Sequence, residues 1–328
     1  MITAQHSILS RRSIKLLLKY FLFVNASGFI WWISNNCSFT EGGTDPQRFS
    51  QYALYSTIPH PEGYNHNIVF LLKAVFAIYP SYISYLFVVS CLGFVLLKYC
   101  HSLYLEYILF NPISFFFVGQ SGKDWWTILA TGIIVNALVF KNQNIKKYVI
   151  LISSVLLLIF LRGQAFLYVI IALLIRKKNK LLKLLALITL LVLFCLASDF
   201  RKDTPNLLSD TASQTGSGQI ITSLRMQTLG YNISAISLRS LFYIVSPLTQ
   251  PFIDLIRFKN QISEANYVDL FQFLCVSIFL IETIKTKRLF LFFKINLHFA
   301  IIIAIFVPLY HFRYLLIMWP LIYLLCKK

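Results

Sequence analysis

The sequence predicts an all-α, polytopic integral membrane protein with about ten transmembrane helices. The first observation is composition: 58% of the 328 residues are hydrophobic and the mean hydropathy is +0.70, whereas soluble domains are about 45–50% apolar. The second is that several apolar runs reach the ~20 residues a helix needs to cross a ~30 Å hydrocarbon core. The third is that basic residues concentrate in short loops beside these runs, as in membrane proteins.

The charge balance predicts the orientation of the chain. A net charge of +18 would suggest a nucleic-acid partner in a soluble protein. Here the basic loops follow the positive-inside rule, so no nucleic acid is expected and both termini are predicted to be cytoplasmic. Membrane lipid is the expected environment.

The N-terminal half alternates apolar runs with short polar turns. Arg11, Arg12, Lys15 and Lys19 place the start of a span at 14–34 in the cytoplasm. The polar stretch that follows, 35–66, is then an outer loop. The remaining elements are predicted in order as a run at 67–97 broken by Pro80, a span at 103–118 carrying Pro112, a tight outer turn "GQSGKDWW" and a span at 125–140.

The C-terminal half begins with the segment 148–175, interrupted only by "RGQ" at 162–164, which predicts a hairpin with Arg162 at its outer tip. A second large outer loop is expected at 199–238. The proline-containing segment 239–257 is interpreted as a broken or re-entrant element. The predicted spans are 181–198, 266–284, 289–307 and 309–326, and the whole chain, 1–328, is expected to form a single transmembrane domain.

Charged residues at the outer ends of separate spans are the candidate site. A charge at membrane depth costs about 2.5–3.5 kcal/mol on insertion scales, so it pairs or lines a watery cavity. Solvated loop charges, snorkelling side chains and an interfacial belt are the alternative explanations. The groups predicted to converge are Asp45 with Arg48, Lys123 with Asp124, Arg162, Arg225 with Arg239, and His311 with Arg313.

Several cations around one cavity suit an anionic ligand, because arginine matches phosphate oxygens bidentately. A carboxylate there would act as general base on a sugar hydroxyl, with Asp45 preferred and Asp124 in reserve. We predict Asp45, Asp124 and Arg162 as catalytic residues. The residues predicted to bind substrate are Arg48, Lys123, Arg225, Arg239, His311 and Arg313. No metal-ligand motif occurs, and no cofactor is expected.

Five short motifs occur in a suggestive order: "GGTDPQRFSQYA", "NPISFFFVGQSGKDWWTILATGIIV", "LRGQAFLYVIIALLI", "SPLTQPF" and "YHFRYLLIMWPLIYLL". In this order the chain resembles the bacterial polysaccharide (O-antigen) polymerases of the Wzy and EpsG type, and more distantly the GT-C membrane glycosyltransferases. The resemblance implies functional roles for Asp45, Lys123, Asp124, Arg162 and Arg313, and the arginines of the second outer loop point to Arg225 and Arg239. Gly163 stands where the hairpin motif usually has proline.

The resemblance implies an enzyme of the bacterial cytoplasmic (inner) membrane that polymerises polyprenyl-pyrophosphate-linked oligosaccharide repeats on the outer face. Its expected partners are polyprenyl-linked glycan substrates and other polysaccharide-assembly proteins. One alternative is a GT-C-like transferase that adds a single sugar from a polyprenyl phosphate donor. A polysaccharide transporter or flippase and a non-enzymatic assembly subunit are the others.

Overall fold

A computed structural model describes residues 11–36, 45–54, 66–99, 103–139, 145–162, 229–260, 267–306 and 312–326. Within these ranges the chain is helical and contains no strand, which confirms the all-α class. The helices of the N-terminal part are α1 (Arg11–Asn36), α2 (Asp45–Leu54), α3 (His66–Phe76), α4 (Tyr82–Tyr99), α5 (Leu103–Phe110), α6 (Pro112–Val118), α7 (Lys123–Val139) and α8 (Ile145–Arg162). Those of the C-terminal part are α9 (Leu229–Asn260), α10 (Tyr267–Lys285), α11 (Leu289–Phe306), α12 (Phe312–Leu316) and α13 (Trp319–Cys326).

Within the part of the chain that the structure describes, two helices are long and apolar enough to cross a membrane, and they indicate membrane association. They are Ile14–Ser34 within α1, and α10. Shorter apolar helices of 10–17 residues lie at Asn67–Phe76, Tyr82–Lys98, Val149–Leu161, Ser240–Thr249 and Leu289–Ile301. The predicted total of about ten spans stays a prediction.

The chain divides into two compact units, and the single transmembrane domain expected from the sequence stays a prediction. The first unit comprises Met1–Arg162 with Asp254–Val276, and the second comprises Gly163–Ile253 with Ser277–Lys328. Both α9 and α10 pass from one unit into the other. The apolar runs are similar in composition along the whole sequence. Their distribution therefore does not predict where one unit ends and the next begins.

The structure contains the interruption predicted at Pro80, and it also divides the predicted span 103–118 into two helices at Asn111. The run 67–97 forms two helices, α3 and α4, separated by residues 77–81. Between α5 and α6, the Asn111 side chain accepts a hydrogen bond from Ser114 N (2.9 Å) and donates to the carbonyl of Ile108 (2.9 Å). Proline suits the first helical position, where no N–H partner is needed, so Asn111 and Pro112 together start α6.

The proline-containing segment 239–257 is continuous helix, so the predicted break is wrong, while re-entrant placement stays a prediction. Pro247 lies inside α9 and cannot donate to the carbonyl of Tyr243. The buried Ser246 hydroxyl donates to that carbonyl instead, at 2.7 Å. Hydroxyl side chains re-satisfy backbone groups freed by proline in membrane helices, which explains why α9 continues.

The last predicted span, 309–326, is two short helices, α12 and α13, with a break at residues 317–318. In the second unit, α13 packs against α11 around buried aromatic rings. The Phe279 ring stacks on Trp319 at 5.3 Å, and Phe292 meets Trp319 edge-on at 5.6 Å. The Arg288 guanidinium donates to the carbonyl of Cys326 at the end of α13.

The predicted outer loop 35–66 contains a helix, α2, and its placement on the outer side stays a prediction. The sequence of α2, DPQRFSQYAL, is polar enough to read as loop. Packing of α2 against α3 supplies the stability that its composition does not predict. The predicted span 181–198, residues 199–228 of the predicted loop 199–238 and the second half of the 148–175 hairpin lie outside the described residues. The remaining loop residues, 229–238, belong to the start of α9.

Several helices turn apolar side chains outward and polar ones inward. On α8, Ile152, Leu156 and Ile159 are more than half exposed, whereas Ser154 is buried. On α10, Leu274 and Ile278 are about half exposed while Thr283 is fully buried. This arrangement is the reverse of a soluble helix, whose apolar stripe faces the core.

Candidate functional site

The centre of the first unit's polar residues is the turn Gly119–Asp124, hereafter the site turn, which connects α6 to α7. Gln120 and Ser121 are each 3% exposed and Asp124 is 1% exposed. Buried polar groups require hydrogen-bond partners. Hydroxyl groups from three other helices supply several of them, as follows.

The turn begins where α6 lies against α1. Gly119 N donates to Ser27 Oγ at 2.9 Å, and that hydroxyl donates to the carbonyl of Phe115 at 2.5 Å. A Cβ at position 119 would lie 2.7 Å from the Ser27 backbone carbonyl. Glycine is therefore needed here so that the two backbones can approach.

Two tyrosines of α4 donate hydrogen bonds to the next two carbonyls of the turn. The Tyr82 hydroxyl donates to the carbonyl of Gly119, and the Tyr85 hydroxyl donates to the carbonyl of Gln120 at 2.6 Å. The Tyr85 side chain is completely buried. The backbone of the turn is thus fixed from α1 on one side and from α4 on the other.

The helix α2 contacts the turn through a pair of hydroxyl groups. Ser50 Oγ of α2 and Ser121 Oγ are hydrogen-bonded to each other. Gln51 is exposed, whereas Ser50, Tyr52, Ala53 and Leu54 are half-buried. The helix that begins at Asp45 is therefore seated on the site turn.

Lys123 and Asp124 form the first turn of α7. Lys123 is half-buried and Asp124 is buried, with its Oδ1 fully enclosed. A carboxylate at this position is favoured by the partial positive charge of the helix N-terminus, and it interacts electrostatically with the Tyr85 hydroxyl. A half-buried lysine and a buried aspartate are thus consecutive residues on a backbone held by hydrogen bonds.

The end of α8 reaches the same end of the unit. Helices α7 and α8 pack together and are joined by residues 140–144, so they run in opposite directions. The Asn67 side chain at the start of α3 donates to the carbonyl of Phe160 at 2.5 Å. Since α3 also packs on α2, the start of α7, the end of α8 and α2 surround one region.

The structure brings together part of the predicted set. Asp45 and Arg48 lie on α2, Lys123 and Asp124 start α7, and Arg162 ends α8, all in the first unit. The side chains of Asp45, Arg48 and Arg162 are not among the described atoms. In the second unit, Arg239 lies on α9 and the half-buried Arg313 lies on α12, whereas Arg225 and His311 lie outside the described residues.

Other polar residues of the first unit were missed from the sequence. The hydroxyl groups of Ser27, Ser50, Tyr82 and Tyr85 contact the site turn from positions far away in the chain. Asp254 is fully buried and accepts a hydrogen bond from Gln272 Nε2 at 2.9 Å. Only Asp254 carried a usable signal, since an acidic residue within an apolar run marks a functional position in membrane proteins.

Comparison of the chain with protein-family models, with curated proteins and with solved structures finds no match.

Proposed function

We propose that this chain is a multi-pass enzyme of the bacterial cytoplasmic membrane that polymerises polyprenyl-pyrophosphate-linked oligosaccharide repeats on the outer face. The observation that carries the proposal is the site turn. It places the buried Asp124 and the half-buried Lys123 at one helix start, at the end of the helix pair where α8 reaches Arg162 and α2 contacts the turn.

Multi-pass insertion is supported by the reversed polarity of the helices. Large apolar side chains face outward on α1, α4, α8, α10 and α11. Contiguous exposed apolar surface of this kind marks contact with a membrane or a partner. Buried hydroxyl side chains such as Ser34 on α1, Ser90 on α4 and Thr283 on α10 donate to backbone carbonyls of their own helices, and small polar residues of this kind are common in membrane helix bundles.

The arrangement at the site turn suits an anionic leaving group. Lys123 on α7 and the arginines at Arg48 and Arg162 belong to three elements at one end of the first unit. Cationic groups held on rigid helices stabilise charge that develops on a departing phosphate oxygen. Because Asp124 is enclosed at the helix start, we assign it the role of orienting Lys123 electrostatically.

The proposed reaction breaks the bond between the anomeric carbon of the growing glycan and its pyrophosphate oxygen. The electron pair stays on the pyrophosphate, where the cationic groups stabilise it. The acceptor hydroxyl oxygen forms the new glycosidic bond, and its proton passes to a carboxylate. Asp45 is the proposed general base, and Asp124 remains the reserve.

The test is a surface-glycan gel of cells that lack the gene, complemented with wild type or with Asp124→Asn, Lys123→Met, Asp45→Ala or Arg162→Ala. We expect the null strain to show a single repeat unit and the wild type to restore a ladder. Each variant should shorten or remove the ladder, because removing one stabilising donor costs about 100- to 1,000-fold in rate. Lys259→Met, a change at an exposed lysine, is the matched control.

Membrane levels of every variant are measured by immunoblot. Full-length chains lacking one sugar in the null strain would instead support a single-sugar transferase. A gel that is unchanged when the gene is removed would refute both enzymatic functions.

A further inference from the structure

We infer that Asn67 is a positioning residue, which fixes the end of α8 and thereby the backbone that presents Arg162. The inference rests on the proposed function, because Arg162 is assigned to the substrate site there. Nothing in the sequence singles Asn67 out, since an asparagine at the start of an apolar helix is common at helix N-termini.

The contact is long-range and specific. Asn67 Nδ2 donates to the carbonyl of Phe160 at 2.5 Å, across 93 positions of sequence. Phe160 lies two residues before Arg162, in the last described turn of α8. Asn67 therefore holds this turn of α8 from another helix.

A second contact holds the same place. The rings of Phe70 and Phe160 meet edge-on with centroids 6.4 Å apart. Phe70 lies three residues after Asn67, so both side chains lie on one face of α3. The buried residues Ile68, Val69 and Leu72 anchor α3 itself. The end of α8 is thus clamped by one polar and one aromatic contact from a fixed helix.

The Asn67 side chain is exposed. The effect of its substitution on the position of α8 can therefore be measured separately from an effect on global stability. A hydrogen bond in contact with water contributes little to global folding. Positioning errors of about 1 Å can nevertheless cost about 100-fold in rate. A large loss of turnover in Asn67→Ala, with an unchanged melting midpoint, would therefore reflect the position of Arg162.

The matched control is Asn25→Ala. The Asn25 amide also donates to a backbone carbonyl, that of Phe21 at 2.7 Å, but within its own helix α1. Both substitutions remove an exposed amide that bonds a carbonyl. Only Asn67→Ala is expected to act on α8.

Two readouts on the full-length protein in lipid vesicles decide the inference. The first is hydrogen–deuterium exchange of the last turn of α8, which should speed up about fivefold in Asn67→Ala, matching the loss of one hydrogen bond, and stay unchanged in Asn25→Ala. The second is a double-mutant cycle with Arg162→Ala, using lipid-linked repeat extracted from the null strain as substrate. We expect kcat to fall about 10- to 100-fold in Asn67→Ala, with little change in KM and little further loss in the double variant.

Exchange that is unchanged in Asn67→Ala, or losses that add in the double variant, would overturn the inference. Asn67→Ser, which retains a donor group, should recover part of kcat. If wild-type protein converts no lipid-linked repeat, the proposed function fails. The exchange experiment still decides whether Asn67 holds the last turn of α8.

Discussion

At the residue scale, the site turn depends on hydroxyl groups that lie far from it in sequence. Ser27, Tyr82 and Tyr85 each satisfy a backbone group of the turn. A buried carbonyl that loses its donor costs about 1–3 kcal/mol. These three residues therefore bear on the geometry of Lys123 and Asp124 although they are not charged themselves.

The substitution Tyr85→Phe tests this dependence. It leaves the carbonyl of Gln120 without the donor that now lies 2.6 Å away, so we expect a loss of about 1–3 kcal/mol in unfolding free energy and a shorter glycan ladder. The measurements are thermal unfolding of the purified protein and the surface-glycan gel. Tyr79→Phe is the control, because that ring is 63% exposed. Wild-type stability and ladder length in Tyr85→Phe would show that the turn does not need this bond.

At the element scale, α2 contacts the site turn. Its Ser50 is hydrogen-bonded to Ser121, and Gln120, Ser121 and Asp124 of the turn are almost completely buried. A lipid-linked substrate could reach these residues only if a neighbouring element moves, and α2, a short helix bonded to the turn through Ser50, is our candidate for that movement. We therefore expect α2 to leave the turn during each catalytic cycle.

Paired cysteines at these positions test the movement. In Ser50→Cys/Ser121→Cys the two side chains replace hydroxyl groups that touch, which is compatible with the spacing of a disulfide. We expect oxidation to stop ladder elongation and reduction to restore it. The two single-cysteine variants, treated with the same oxidant, control for the native cysteines. Full activity of the cross-linked protein would mean that α2 stays seated during turnover.

Sequence periodicity and proline positions predicted most of the helices at this scale. The helices within 14–34, 266–284 and 289–307 and the break before α4 were within reach because they depend on local composition. The helix α2 was not, since its polar sequence gains stability from packing on α3. The contacts around the site turn were also out of reach, because they join residues such as Ser27 and Gly119 that no spacing rule connects.

For α2 the sequence did not predict a helix that exists, whereas for α9 its prolines predicted a break that does not occur. Pro247 and Pro251 predict an interruption, yet the helix continues. The Ser246 hydroxyl takes the place of the missing N–H, a compensation that depends on side-chain orientation. The sequence shows where the proline lies, but it does not show the side-chain hydrogen bond that replaces the missing N–H.

At the scale of the whole molecule, the proposed multi-pass insertion would place the outward apolar side chains in lipid. Leu156 on α8 is 61% exposed. A lysine at the centre of a lipid-facing helix costs about 2.5–3.5 kcal/mol on insertion scales. In water the same substitution would be nearly neutral.

We therefore expect Leu156→Lys to reduce the amount of protein retained in carbonate-washed membranes. Leu156→Met, which keeps the position apolar, is the matched control and should behave as wild type. The measurement is an immunoblot of the washed membrane fraction. Equal retention of the two variants would show that this face of α8 meets water.

The order of the contacts along the chain has a consequence for biogenesis. Ser27, Ser50, Tyr82 and Tyr85 all precede the site turn in the sequence. When the ribosome has added Asp124, every one of these partners has already been synthesised. Because chains begin to fold from the N-terminus during synthesis, the turn can close around its hydroxyl partners while the C-terminal helices are still being translated.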